Sequence, residues 1–318
     1  MVMTTKSIAL EQQPKKKSAL KRFLRRWNSP IAGYLFLAPW IIGIFLLTFW
    51  PMAQSLYFSF TKYSLLESPE WVGIDNYKRI FTQDSTFVQS LKVTFLFVFI
   101  SVPLKLTTAL LVAIVLNKKL RGISLYRTMI YLPSLIGTSI AVSILWKQIF
   151  DGSGLFNQIL GIFGIQGVNW ITNPKTALGT LILLVVWQFG SSMVIFLAGL
   201  KQIPTELYEA SSVDGAGKIR QFFKITVPML SPVVLFNLVL QTINAFQTFT
   251  QAFVITKGGP INSTYMYALY LYDRAFARLQ MGYASSLAWI MLVIIAIFTA
   301  LIFASSRTWV FYESEGGK

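Results

Sequence analysis

The sequence predicts an all-α integral membrane protein, a helical bundle of six transmembrane segments with both termini on one side. Three observations carry that prediction: an apolar composition, six apolar runs of spanning length, and an uneven distribution of Lys and Arg among the segments that join them. Of the 318 residues, 54% are hydrophobic and 13% charged, and the mean hydropathy is +0.59, beyond what a soluble globular domain carries. The chain holds no Cys and no His. That excludes disulfides, thiolate nucleophiles, the usual zinc sites and imidazole acid–base chemistry.

Residues 1–30 form a basic tail with Lys15, Lys16, Lys17, Lys21, Arg22, Arg25 and Arg26, closed by Pro30. The apolar run behind it is too long for the core of a signal peptide, and no small-residue cleavage site is evident. The tail therefore reads as cytosolic and partly disordered; Phe23, Leu24 and Trp27 suit a short amphipathic turn on anionic lipid, but a plain solvated tail is the preferred reading. Six apolar runs follow, near 31–56, 92–116, 127–149, 176–200, 229–255 and 282–305. Each meets the ~20 residues needed to cross a bilayer core. Pro39, Pro51, Pro103, Pro133 and Pro232 fall in or at the ends of these runs, so kinks are expected there. Residues 31–305 read as one integral domain, and 306–318 as a short tail.

With the N-terminus inside, the segments on that side hold 18 of the 28 Lys and Arg, against 8 on the other. The positive-inside rule then puts the tail, Lys118, Lys119, Arg121 and Arg127, residues 201–228 and the C-terminus in the cytosol. The net charge of +16 is topological on this reading, and nucleic acid is not needed to explain it. Outside, 57–91 is turn-rich, with Trp71, Gly73, Asp75 and Tyr77. Residues 150–175 carry Gly152, Gly154, Gly161, Gly164 and Gly167 around an apolar core, which suits an interfacial helix or a re-entrant piece. Neither segment carries a catalytic or metal-binding constellation.

Residues 201–228, KQIPTELYEASSVDGAGKIRQFFKITVP, are about as long as a span and helically patterned. Pro204 suits a first helical turn, Glu206 and Glu209 lie where the helix dipole favours anions, and Leu207, Ala210 and Val213 recur at three-residue spacing. Asp214-Gly215-Ala216-Gly217 breaks that helix, and a second stretch with Ile219, Phe222 and Phe223 begins at Lys218. Two short helices about a Gly hinge are expected, either packed on the membrane and bundle or serving as a docking element for a soluble partner. Gly217-Lys218 is followed by Ile219 and lacks the glycine spacing that cradles phosphate, so the segment is no Walker A loop.

The string Glu209-Ala210-Ser211, Asp214-Gly215-Ala216-Gly217, Phe222, Ile225-Thr226, Pro228 and Ser231-Pro232 resembles, over about 24 residues, the EAA loop of bacterial ABC importer permeases. Ser211 stands where that motif commonly has alanine. The order of spans, Gly258-Gly259-Pro260 after the fifth, and Gly282-Tyr283-Ala284-Ser285 entering the sixth are similar to the maltose-type carbohydrate permeases. The resemblance implies a type I importer permease fold and a permease subunit of an ATP-driven oligosaccharide importer in the bacterial cytoplasmic membrane. It also implies a second homologous permease subunit, two ABC ATPase subunits that use ATP and Mg, and an extracytoplasmic sugar-binding protein, with no cofactor on this chain. By position it makes Glu209 the charged contact to the ATPase, Gly215 a hinge where a side chain would block docking, and Phe222 an apolar anchor. Ala210, Ser211, Asp214, Ala216, Ile225 and Pro228 complete the coupling surface. An importer of a non-sugar solute is the alternative. A secondary transporter is more distant, because it would need intramembrane acids or broken-helix ion sites.

The fifth span holds Asn237, Gln241, Asn244, Thr248 and Gln251 within an arc of about 80°, with Gln247 beside it. Such a stripe faces protein or water rather than lipid. It suits either interhelical hydrogen bonding or a sugar path, in which the amides would meet hydroxyls and Phe246, Phe249 and Phe253 would stack on sugar rings. Lys105 is the one basic residue well inside a span. With no acidic residue in the spans, it reaches a carbonyl, a polar cavity or an acidic substrate.

Overall fold

The computed structural model describes residues 30–118 and 122–311. The basic tail with Phe23, Leu24 and Trp27, the residues Lys119 and Arg121 expected in the cytosol, and residues 312–318 lie outside the described residues. The described chain divides into two units, one up to Tyr57 and one from Phe58 onward. In the first, α1 (Pro30–Ile44) passes through a π-helical turn, Phe45–Phe49, into α2 (Trp50–Ser59). Gly33–Ser59 makes one 27-residue span, and its apolar residues run all round the helix, as in a membrane segment.

The second unit opens on a short ladder, β1 (Thr61–Lys62) antiparallel to β2 (Glu70–Trp71), and a helix, α3 (Asp75–Gln83). Asn76 Nδ2 donates to the carbonyls of Ser59 and Thr61 at 3.0 and 2.9 Å, so the turn-rich segment is closed on itself. Asp84 caps α4 (Ser85–Leu116), its Oδ1 accepting from the amides of Thr86 and Phe87. The helix starts well before residue 92 because this cap sets its origin and because Phe87 and Ser90 in the polar lead-in are buried.

The third apolar run forms α5 (Ile123–Ile136) and α6 (Ile140–Ile149), bent by 99°, and is followed by α7 (Leu155–Ile162). The α7 helix is held by Asn157, whose Nδ2 donates to Gly152 O and Val168 O and whose Oδ1 accepts from Trp170 Nε1. The fourth run forms α8 (Ala177–Trp187) and α9 (Gly190–Leu200), bent by 42°. Then come α10 (Thr205–Val213), α11 (Lys218–Gln221), a π-helical turn Phe222–Thr226, and α12 (Val227–Phe246). A π-helical turn Ala252–Thr256, α13 (Tyr267–Tyr272), another such turn at Asp273–Ala277, and α14 (Met281–Trp309) complete the chain. Four continuous helices and two bent pairs are long and apolar enough to cross a membrane, giving the six predicted spans when each pair counts as one.

Not every proline goes with a break. Pro133 lies one turn before the bend in the third span, but both α4 and α12 run on through Pro103 and Pro232, and the break at Gln188 has no proline. What stabilises the breaks is mutual: Gln188 Nε2 donates to Gly137 O at 2.8 Å, so the interruption of one span satisfies a carbonyl freed by the other. The helices also touch backbone to backbone, since a Cβ on Gly190 would lie 2.8 Å from Ser134 Oγ and 2.9 Å from Ile130 O.

The α4 helix packs against α8, α9 and α12 around Phe97, Ala109, Leu181, Leu184, Met193, Phe196 and Leu230. A second cluster joins Ile80, Phe87, Tyr267, Tyr270, Tyr283 and Leu287 from α3, α4, α13 and α14. In lipid such contacts hold by close packing rather than by escape from water. The last helix runs to Trp309. Phe311 N then donates to Ser231 Oγ at 2.8 Å, tying the chain beyond the last span to the start of the fifth.

Candidate functional site: a structured loop and a polar cavity

Residues 201–228 contain one free-standing helix, not two. The α10 helix stands alone, whereas Lys218–Gln221 continues through its π-helical turn into α12 as a single helix, Lys218–Phe246. Pro228 does not interrupt it, because the π-helical turn has already displaced the i→i−4 ladder where the proline lacks its N–H. Glu206 occupies the first turn of α10, and Glu209 lies beyond it.

The helix ends in a Schellman motif. Gly215 N donates to Ser212 O at 3.1 Å and Ala216 N to Ser211 O at 2.9 Å, with Gly215 at φ +78°. A Cβ at Gly215 would meet nothing within 4 Å. Its glycine is therefore required by the backbone, and the space beside it is open.

Leu207, Ala210 and Val213, the apolar residues at three-residue spacing, are all exposed, Val213 by 88%. The face turned inward is polar. Tyr208 hydroxyl is hydrogen-bonded to Thr226 Oγ1 at 2.9 Å, and Gln221 Nε2 donates to Tyr208 O, Ser211 Oγ and Ser212 Oγ. These bonds brace α10 against the root of the fifth-span helix. Glu209, Ala210 and Asp214 are exposed, while Ser211, Ala216, Phe222, Ile225 and Pro228 are half-buried. Ser211, Asp214, Ala216 and Ile225 share a surface cavity of about 260 Å³ with Arg220 and Lys224.

The second feature is a cavity of about 410 Å³ inside the bundle. It gathers Gln241, Asn244, Gln247, Thr248 and Gln251 of the predicted stripe, but leaves out Asn237, which is fully buried and donates to Val233 O of its own helix. The stripe is not one helical face. The α12 helix ends at Phe246, and the residues from Gln247 to Phe249 are not helical, so the break itself turns the backbone into the cavity. Of the three phenylalanines, Phe249 lines the cavity, Phe246 is buried against Phe95 and Phe298, and Phe253 stacks on Phe249.

Thr138 and Gln188 bring in the breaks of the third and fourth spans, and Ser134 and Ser191 stand beside them. Non-helical backbone at membrane depth is tolerated where it is buried in protein or lines a wet cavity, and here three breaks converge on one. Opposite stand Ser101 and Lys105, one turn apart on α4. Lys105, for which a carbonyl, a polar cavity and an acidic substrate were open from the sequence, lines this polar cavity. Gln188 was overlooked in the sequence, although it is the one amide in the run 176–200.

A further cluster was not anticipated. Asp84 Oδ2 accepts from Arg274 at 3.0 Å and from the hydroxyls of Tyr270 and Tyr283, and both charged side chains are at least nine-tenths buried. Arg274 also donates through Nε to Tyr270 at 3.0 Å and through a terminal nitrogen to Gln280 Oε1 at 3.1 Å. Burial alone would raise the Asp84 pKa. The two phenols, the Phe87 amide and the Arg274 charge outweigh it and hold the carboxyl below its ordinary value of 3.8. Burial and the bond to Asp84 push the Tyr270 phenol up to about 12, so it stays a donor.

A multi-pass helical bundle with an internal polar cavity and a structured loop outside it is the architecture of a transport subunit, and comparison identifies which kind. Residues 83–310 match the family described as the binding-protein-dependent transport system inner membrane component. A probable ABC transporter permease protein of Bacillus subtilis (strain 168), YesP, is 53% identical over 92% of this chain and 96% of its own. The lactose transport system permease protein LacF of Rhizobium radiobacter is 34% identical over 92% of this chain and 97% of its own. A crystal structure of a bacterial ABC transporter involved in importing the acidic polysaccharide alginate shares the fold. Its matching chain has a TM-score of 0.77 and 21% identity, covering 92% of this chain and 99% of that one. The chain belongs to this family of ABC transporter permeases, as the loop motif implied.

Proposed function

We propose that this chain lines half of the translocation path of a carbohydrate importer, with oligosaccharides as its substrates, in the bacterial cytoplasmic membrane. Both termini and residues 201–228 face the cytosol. The observation that carries the substrate class is the cavity: amide side chains from two spans, several hydroxyls and one aromatic ring, a lining suited to sugar hydroxyls. The lactose-transport relative agrees with it.

The exposed loop is the contact for a cytosolic ATPase. Its outward apolar residues and the open space at Gly215 support this, because an apolar patch left uncovered marks an interaction surface. Glu209 supplies the charged contact, Phe222 the anchor, and Ala210, Ser211, Asp214, Ala216, Ile225 and Pro228 the surrounding surface. The complex is completed by a second homologous permease, two ATPase copies that hydrolyse ATP with Mg, and an extracytoplasmic sugar-binding protein.

The test is sugar uptake, and sugar-stimulated ATP hydrolysis, by the chain reconstituted with its co-expressed subunits. Gly215→Arg is expected to abolish both while the chain still reaches the membrane, and normal uptake would sink the docking role. Asn244→Ala is expected to raise the half-saturating sugar concentration by about tenfold, the loss of one or two buried hydrogen bonds. An unchanged value would leave the amides a purely structural role.

A further inference from the structure

Lys105 is 9% exposed in the middle of α4 and lines the 410 Å³ cavity. Among the described residues it takes part in neither of the two ion pairs, and no Asp or Glu lines the cavity. A charge withdrawn from water into a membrane bundle is costly unless it is paired or faces a wet site, so an ammonium left without a carboxylate marks a place for one. Its neighbour one turn away gives the same indication independently. Ser101 is fully buried and lines the cavity, and its Oγ makes no hydrogen bond among the described residues. The rest of the lining is neutral, with Gln188, Gln241, Asn244 and Gln251 offering both donors and acceptors. One fixed positive charge among neutral amides and hydroxyls is complementary to a solute that carries one negative charge among many hydroxyls.

We propose that Lys105, with Ser101 beside it, recognises a carboxylate, and that the substrates of this chain are oligosaccharides bearing a uronic acid. This rests on the carbohydrate reading and narrows it. The ammonium supplies a charge-assisted hydrogen bond to one carboxylate oxygen, the Ser101 hydroxyl donates to the same group, and the amides sort the hydroxyls of the ring. The cavity volume falls within the roughly 300–1,000 Å³ of small-molecule sites, enough for part of an oligosaccharide at a time. A neutral sugar would leave the lysine unsatisfied, so the site selects by penalty as well as by attraction.

The test uses the complex of this chain with its co-expressed subunits in nanodiscs, without the binding protein, whose own selectivity then does not enter. Di- and trisaccharides ending in a uronic acid are titrated beside their methyl esters, which differ only in the charge. The free acid is expected to bind at least about tenfold more tightly than the ester, with the ratio falling to near one in Lys105→Gln and largely restored in Lys105→Arg. Equal affinity of acid and ester in the wild type overturns the inference, as it would if a carboxylate of the second permease already occupied Lys105. Binding of neither form overturns it too. The wild-type arm decides even where Lys105→Gln fails to assemble. Stimulation of ATP hydrolysis by neutral sugars with their binding protein reports on the carbohydrate reading separately, so the two can fail independently.

Discussion

Among the described residues the chain buries two cations, Lys105 and Arg274, and treats them in opposite ways. Arg274 is surrounded: a carboxylate, a phenol and an amide oxygen take its donors, and the rings of Tyr270 and Tyr283 lie 5.2 and 5.0 Å from its guanidinium carbon. Lys105 has no such company, although it stands in a cavity walled by groups that could have included an acid and do not. The difference shows how to read a charge inside a membrane bundle. A cation paired with a carboxylate of its own chain joins helices. A cation whose counter-charge is left out is waiting for a solute.

Asp84→Ala tests the first half of that contrast and should have the largest effect. It leaves Arg274 buried without its carboxylate, and a loss of about 3–5 kcal/mol is expected, read as a fall in the unfolding temperature of the purified complex. Replacing both partners, as in Asp84→Ala with Arg274→Met, should cost less than Asp84→Ala alone. The same carboxyl predicts acid behaviour. Because its folded pKa is lowered, the stability that its ionisation contributes is complete above the ordinary value near 3.8 and is lost as pH falls through the folded value. Asp84→Asn should remove that component of acid sensitivity. Lys105→Met should have the smallest effect on stability, near zero or slightly stabilising, since it removes an unpaired charge. A fall of about 3 kcal/mol in the same melting experiment would show that Lys105 is held by a partner, and the contrast between the two cations would disappear.

What was legible in the sequence follows the range of the interactions involved. Six apolar runs and their charge asymmetry are properties of windows some twenty residues wide, so the spans and the loop 201–228 could be read directly. The breaks could not. Gly137 and Gln188 lie 51 residues apart, and the hydrogen bond that joins the two breaks is not visible in either run alone. The stripe on the fifth span was projected along an ideal helix that in fact stops at Phe246. Thr248 and Gln251 reach the cavity all the same, because the break that spoils the projection faces the same way. Asn237 fits the projection and is not in the cavity. Lys105 stood out as a charge in an apolar run, while its neighbours were set by tertiary packing. Asp84 and Arg274, 190 residues apart, counted in the sequence only as two charges in outer loops.

The bond from Phe311 to Ser231 has a mechanical consequence. The fifth-span helix begins at Lys218, within the loop 201–228, and Ser231 lies a few turns along it, where it also donates to Pro228 O at 2.6 Å. The far end of α14 is fastened to that point. A thrust applied to α10 and passed on through Tyr208 and Gln221 therefore cannot slide the fifth span past the sixth without parting that fastening.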